Sequence, residues 1–330
     1  MRILSAQRWF FQKKPIKTTK KNKKDHIKQI AISLGRYIFL IAFSYILLYP
    51  LFYMVSHSFR DPTDFLDPTI EWVPKNYSIS PILLAAEVMK FGTSFFNTLH
   101  IEIVSAIVQV VTCGIIAYGL ARFDFRGKRL LMFVLILTIL VPVHMVIIPN
   151  YLNFRYFDFL GVIGSVGKLI GKEIRPNLID TPWTFYLPSL LGVGLKSGFF
   201  IFIYMQFFKG VPKELEEAAW IDGAGPWGTY FRIIVPSSGV AVLTVFILSV
   251  IWHWNDYYLA QMYLSKNNTL AVELNNIFYS LSAMDIGGYA PESADTAMAG
   301  CLMFISPVLI MYLFLQRKFI TSIATTGIVG

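Results

Sequence analysis

Hydrophobic residues in this chain gather into long runs, and the polar residues fall almost entirely between them. A helix needs about 20 apolar residues to cross the hydrocarbon core of a bilayer. Five runs meet that length, at 37–55, 103–121, 130–152, 237–255 and 297–316. A sixth candidate, roughly 188–208, is interrupted by Lys196, and the apolar run after it is too short to cross alone. Lys196 is therefore expected near an interface or against protein. Pro142 and Pro149 sit inside the third run and predict bends there. The pattern predicts an all-α polytopic membrane protein with six transmembrane helices.

Composition agrees. The 330 residues are 55% hydrophobic and 15% charged, whereas soluble domains carry about 25% charged residues. The net charge of +9 is not a nucleic-acid signature, because it is concentrated in one place. Residues 1–30 hold ten Lys/Arg against Asp25, which accounts for the whole excess. A basic flank before an apolar run suits a cytoplasmic segment attracted to anionic lipid.

With six spans and a cytoplasmic N-terminus, 19 basic residues fall on inside segments and eight on outside loops. That asymmetry follows the positive-inside rule and puts the C-terminus in the cytoplasm as well. The first run starts too late and is too long for a cleaved signal peptide. Cys113 and Cys301 both lie in apolar runs and read as small buried hydrophobes rather than a disulfide or metal pair.

The expected organisation is a basic tail at 1–32, then a first helix with its external loop at 33–92. A core of five helices at 93–319 and a short tail at 320–330 follow. Long external segments at 56–92, 153–187 and 256–296 exceed ordinary connections and are candidates for contact with an outside partner.

One charged strip interrupts the core on the inside face. "VPKELEEAAWIDGAGPWGTYFRIIVP" (211–236) begins with Pro212, suited to a helix start. Glu214, Glu216 and Glu217 follow in the early turns, where negative charge complements the helix dipole. Gly223 can close the helix in a left-handed conformation, and Pro226 can open a second short helix carrying Tyr230 and Phe231. Small residues (Ala218, Ala219, Gly223), charges (Glu217, Asp222) and apolar anchors (Trp220, Ile221, Trp227, Phe231) suit a docking element. The plain alternative is an amphipathic segment resting on lipid, but such helices are normally rich in Lys/Arg and this strip is acidic.

The strip resembles the EAA motif of bacterial ABC-importer permeases, E-A-A-x-x-x-G-x9-I-x-L-P. Glu217, Ala218, Ala219, Gly223, Ile233 and Pro236 fall at the motif's spacing; Val235 replaces its leucine, and Asp222 matches the common D-G-A form. "AYGLARFDFRGK" (117–128), "VPVHMVIIPNY" (141–151), "WNDYYL" (254–259) and the tail "TTGIVG" (325–330) are similar to the carbohydrate branch, in particular its maltose-type second permease subunit. The Lys-rich N-terminus and the stretch around 165–195 depart from it.

The resemblance implies a type I ABC importer permease fold in a bacterial inner membrane. It implies three kinds of partner: a second, usually non-identical permease subunit, two ATP-binding subunits docked on the EAA helix, and an external solute-binding protein. The solute would be a sugar or oligosaccharide. ATP and Mg would be bound by the ATPase subunits, and this chain would be non-catalytic. The sequence has no G-x4-G-K-[ST] loop of its own.

Candidate pathway residues are Gln109, His144, Trp252, Trp254 and Asn255. Intramembrane polar groups are functional by default, and "WHWNDYY" (252–258) offers rings for sugar stacking beside amides for hydrogen bonds. Against this, tryptophans at a span end also form interfacial belts, and Gln109 and His144 also suit helix–helix hydrogen bonds. Glu102 is expected near the outer end of its span, within reach of water. The alternative function is an ion-gradient-driven secondary transporter. It predicts paired broken helices, an internal repeat and buried carboxylates near mid-membrane, and neither a repeat nor a span-central carboxylate is visible.

Overall fold

The computed structural model describes residues 23–67, 72–171, 175–284 and 291–326. Most of the basic N-terminal tail, the end of the "TTGIVG" tail and short parts of the three long loops lie outside the described residues, as do the side chains of Arg317 and Lys318. The fold is helical throughout. Among the described residues the only extended pairing is an isolated bridge between Arg60 and Tyr77.

Two units are separated by their contacts, Met1–Tyr53 and Met54–Gly330. The described part of the first unit is helix α1 (Lys23–Ser58), whose last residues belong to the second. Its aromatics meet at the i, i+4 spacing of a helix face: Phe39 stacks on Phe43 at 6.0 Å and Tyr49 on Tyr53 at 6.3 Å.

In the second unit α2 (Ser80–Val88) turns through left-handed Lys90 into α3 (Phe91–Arg122). The buried face of α3 carries Ser94, Thr98, Glu102, Ser105, Gln109, Cys113 and Ala117, one every three or four residues. Large apolar side chains such as Phe96, Ile107 and Val111 are exposed instead. Small and polar residues inside, bulky apolar residues outside, is the arrangement expected where lipid rather than water surrounds the helices.

After α3 come α4 (Lys128–Leu140) and α5 (Val143–Arg155), bent by 102° at the break that holds Pro142. The bend expected at this proline is present. Next are α6 (Val162–Leu169), α7 (Trp183–Leu190) and α8 (Ser197–Gly210). The strip follows as α9 (Lys213–Ile221), α10 (Pro226–Thr229), a π-helical turn at Tyr230–Ile234 and α11 (Val235–Ser237). The chain ends through α12 (Gly239–Trp254), α13 (Tyr258–Tyr263), α14 (Leu270–Asn275), α15 (Ile277–Ala283) and α16 (Pro291–Thr326).

By length and composition, Gln29–Ser58, Phe91–Arg122 and Ser293–Gln316 can each cross a membrane. Among the described residues the bent pairs α4–α5 and Pro226–Ser237 with α12 raise the number to at most 5. The 188–208 run does not form one spanning helix. Gly192 and Lys196 both take left-handed backbone, φ 71° and 60°, which ends α7 and starts α8 afresh. At 14 residues, α8 is shorter than the about 20 needed for a crossing.

Helix α3 is the hub, packed on α7, α8 and α12. Phe200, Tyr204 and Phe208 of α8 lie fully buried against Cys113, Ala117 and Val245. Elsewhere Met89, Trp254, Leu270 and Ile277 form a second cluster. The guanidinium of Arg60 grips Asp295 through two hydrogen bonds of 2.7 and 2.8 Å, with His57 Nδ1 at 2.7 Å from the same carboxylate. This buried triad ties the segment after α1 to the start of α16. Cys113 is buried, Cys301 half-buried, and both are free thiols.

Candidate functional site

The strip folds locally as its residues dictate. Helix α9 starts directly after Pro212, and Gly223 closes it at φ 83°. There the Gly223 amide donates to Trp220 O and the Ala224 amide to Ala219 O, so the last carbonyls of α9 are satisfied. The Trp220 indole N–H donates to Thr229 Oγ1 at 3.1 Å and fixes the turn between α9 and α10.

One side of this hairpin is buried and the other open. Glu216, Ala219, Thr229, Tyr230 and Ile234 are buried. Glu217, Ala218 and Asp222 are exposed, together with Leu215, Trp220, Ile221, Trp227 and Phe231. Ile233 is half-buried and Pro236 exposed. The two alanines therefore do not share a face: Ala219 packs inward and Ala218 points out, one helical position apart.

The buried side is held by a residue the sequence reading passed over. Arg122, the last residue of α3, has its Nε 2.7 Å from Glu216 Oε1. Its Nη2 donates to the carbonyl of Val211 at 2.6 Å. The charge contact is close although the Nε–H does not point along it, so the aligned hydrogen bond is the one to Val211. Burial pushes the Glu216 carboxyl above the usual carboxylate range, and Arg122 and then Lys213 pull it back.

Tyr230 supplies the apolar half of the anchor. Its ring packs on Tyr118 of α3 at 5.1 Å and on Phe208 of α8 at 6.4 Å. The approach is so close that a Cβ on Gly114 would stand 2.6 Å from the Tyr230 hydroxyl. Glycine is required there by Tyr230, not by its own backbone. Tyr230 also opens the π-helical turn, a distortion that recurs at functional sites. Across the next break, Pro226–Ser237 and α12 are bent by 80°.

Further along α3 lies a buried polar network. Gln109 Nε2 donates to Leu195 O at 2.7 Å and to Ser197 Oγ at 2.6 Å. Its Oε1 accepts from Ser249 Oγ at 2.7 Å and from His253 Nε2 at 3.0 Å. Two donors and two lone pairs are all an amide offers, so Gln109 has none left for a solute. His253 Nδ1 lies 3.3 Å from Glu102 Oε2. Glu102 is 1% exposed. That corrects the expectation that water reaches it: the α3 face that carries it is covered by α12.

A cavity of 640 Å³ opens beside this network, with Lys196, Trp252, His253, Asn150, Thr184 and Phe185 among its lining. Of the expected pathway residues Trp252 lines it, whereas Gln109, His144, Trp254 and Asn255 do not. Trp254 is buried and donates to Phe304 O at 3.1 Å. His144 is exposed and edge-on to Tyr258 at 4.4 Å. Asn255 donates to Ile251 O at 2.8 Å and ends α12. Among the described residues no group of three or more His, Cys, Asp or Glu could hold a metal ion.

Known proteins carry the same architecture. A chain in the crystal structure of a bacterial ABC transporter involved in the import of the acidic polysaccharide alginate superposes with a TM-score of 0.68 at 23% identity, covering 90% of this chain and 98% of that one. The probable starch degradation products transport system permease protein AmyC of Thermoanaerobacterium thermosulfurigenes is 28% identical over 86% of this chain and 92% of its own length. The polygalacturonan/rhamnogalacturonan transport system permease protein YtcP of Bacillus subtilis is 26% identical over 86% of this chain and 93% of its own. Residues 110–324, which include α9 and the C-terminal part of α3, match the family described as the binding-protein-dependent transport system inner membrane component. By that match the chain belongs to the binding-protein-dependent transport permeases.

Proposed function

We propose that this importer permease forms half of a translocation pathway for a sugar or oligosaccharide and takes its drive from an ATPase docked on residues 211–236. The observation that carries the reading is the two-sided strip. One face presents Glu217, Asp222, Trp220, Ile221 and Trp227 outward, and the other is fastened to α3 through Arg122 and Tyr230. A push on the outer face is thereby delivered to the hub helix of the core.

In this reading the strip and both termini face the cytoplasm, and the broken α7–α8 segment supplies a sixth crossing. A second permease subunit completes the pathway, two ATP-binding subunits hold ATP and Mg, and an external binding protein delivers the solute. This chain itself performs no catalysis. The saccharide assignment is supported by relatives named for starch products and polygalacturonan. None of the named relatives favours the ion-gradient alternative. Buried Glu102 lies against His253, with Gln109 on that histidine's other side, and belongs to the packing of α3 on α12.

The test is reconstitution of the chain with its partner permease, ATPase and binding protein in proteoliposomes. Uptake should require the ATPase, and both Glu217→Ala and Gly223→Pro should abolish it. Uptake without ATPase subunits, or normal uptake by both variants, overturns the proposal.

A further inference from the structure

The 640 Å³ cavity falls within the size range of ligand sites, about 300–1,000 Å³. Its lining is mostly aliphatic and aromatic, and its polar groups, among them Asn150, Thr184 and His253 in addition to Lys196, are otherwise amides, hydroxyls and ring N–H groups. No Asp or Glu lines it. Lys196 is the one lysine or arginine in the lining. Lys196 is exposed, and it stands in the wall of the cavity between α7 and α8.

Two observations show how the ammonium is held there. The Lys196 backbone is left-handed, φ 60°, a conformation that β-carbon residues avoid and that glycine would adopt without strain. The side chain turns back over Trp252, its Nζ 4.6 Å from the centre of the ring. Trp252 is 41% exposed and lines the same cavity. An ammonium resting on an indole face is in a weak site. A carboxylate is a stronger partner, because a charge-assisted hydrogen bond outweighs a cation–π contact. Once the ammonium has moved onto such a group, the indole face it occupied is open to the apolar face of a sugar ring.

We propose that Lys196 and Trp252 form a subsite for a carboxylate-bearing sugar, so that the saccharide carried is a uronate-containing oligosaccharide rather than a neutral one. The proposal rests on the importer reading above and sharpens its substrate class. Lys196 binds the carboxylate, Trp252 stacks on the ring, and the Asn150 amide and Thr184 hydroxyl stand in the same lining to meet ring hydroxyls. His253 Nε2 stays on Gln109 Oε1, with Nδ1 3.3 Å from Glu102 Oε2, and the ring lines the cavity wall.

The experiment is equilibrium binding to the detergent-purified transporter complex without its solute-binding protein, so that selection by that protein does not enter. The probes are trigalacturonate and its methyl ester, which keep the same rings while the ester removes the charge. Wild type should bind the acid about tenfold to a hundredfold more tightly than the ester, the range one charge-assisted hydrogen bond supplies. Lys196→Met should lose that preference and Lys196→Arg should keep it, while Trp252→Ala should weaken both probes together.

Equal binding of acid and ester by the wild-type complex overturns the subsite, and this result does not depend on any variant folding. A preference that survives in Lys196→Met overturns the role of that lysine. If ATP-driven uptake persists in either case, the importer reading stands and only the subsite fails. Uptake that does not need the ATPase removes the importer reading itself.

Discussion

The strip at 211–236 packs on α3, and the cavity at Lys196 is lined by helices that pack on α3, but the two are built from opposite kinds of material. The strip is contiguous chain. Its start, stop and open face follow from residues within two turns of one another, and Arg122, through Glu216 and the Val211 carbonyl, fastens it together with Tyr230. The cavity draws on α4, α5, α7, α8 and α12, with a proline-associated bend, left-handed lysine and buried amide network setting its walls. A surface meant for a partner can be written locally, whereas a space meant for a solute has to be assembled.

If that contrast holds, perturbing the strip's anchor should disturb coupling and stability together. Arg122→Ala leaves Glu216 buried without its cation and should cost about 3 kcal/mol, as for other broken buried pairs. The check is thermal unfolding of the purified complex. A second removal, Arg122→Ala with Glu216→Ala, should recover part of the loss, since no uncompensated charge remains. Additive losses in that cycle would mean that the Val211 carbonyl, not Glu216, is the partner that matters.

On the cavity side, Gln109→Ala strips partners from Ser249, His253, Ser197 and Leu195 at once. Interhelical hydrogen bonds in membranes average about 0.6 kcal/mol, so a loss of about 2 kcal/mol is expected. ATPase binding to the solubilised permease should be unchanged. A loss of ATPase binding would show that the two regions are not separable.

A smaller effect is expected at Gly223. Nothing lies within 4 Å of a Cβ added there, so Gly223→Ala meets only the conformational penalty of φ 83°, about 1–2 kcal/mol. Glu217→Ala, on the open face, should leave unfolding within about 0.5 kcal/mol of wild type and still abolish ATP-driven uptake. Stability loss with retained uptake would reverse the roles assigned to the two faces.

The smallest effect concerns a clasp on the cavity side. Asp180 accepts from the Ser265 amide and hydroxyl, and its own amide donates to Tyr263 O, a residue of the cavity wall. The Ser265 backbone hydrogen bond is the main cause that holds the Asp180 pKa below its ordinary value of 3.8. A lowered folded value means the clasp stabilises at pH above 3.8 and is lost as pH falls through the folded value. Asp180→Asn should therefore lower thermal stability slightly at neutral pH and converge with wild type once the pH is below the folded value, which flattens the acid-side decline.

Much of the strip was legible in advance because capping and turn chemistry act over a few residues. Pro212, Gly223 and Pro226 each sit where local rules place them. The ion pair was missed although a signal for it existed. Glu216 stands three residues before Ala219, so the two share a helix face, and burying that face against α3 demands a cation. Arg122 directly follows the apolar run 103–121 and is the nearest candidate. Gln109 was read as a helix–helix or pathway group; its four partners lie 86 to 144 residues away in the chain, a distance no local pattern spans. Lys196 was recognised as an interruption, but its place in a cavity wall was not.

What the sequence by itself determined is the class of environment and the local devices: apolar runs that suit lipid, a charged strip with its own caps, a proline that bends the third run. These depend on side-chain chemistry and on neighbours within a turn or two. The tertiary structure alone decided which polar groups are spent and which are free. Gln109 and Trp254 gave their hydrogen bonds to packing, while Lys196 and Trp252 were left facing space. The reason is physical. In a helix every polar side chain looks alike until a neighbouring helix, brought from a hundred residues away, either satisfies it or leaves it open.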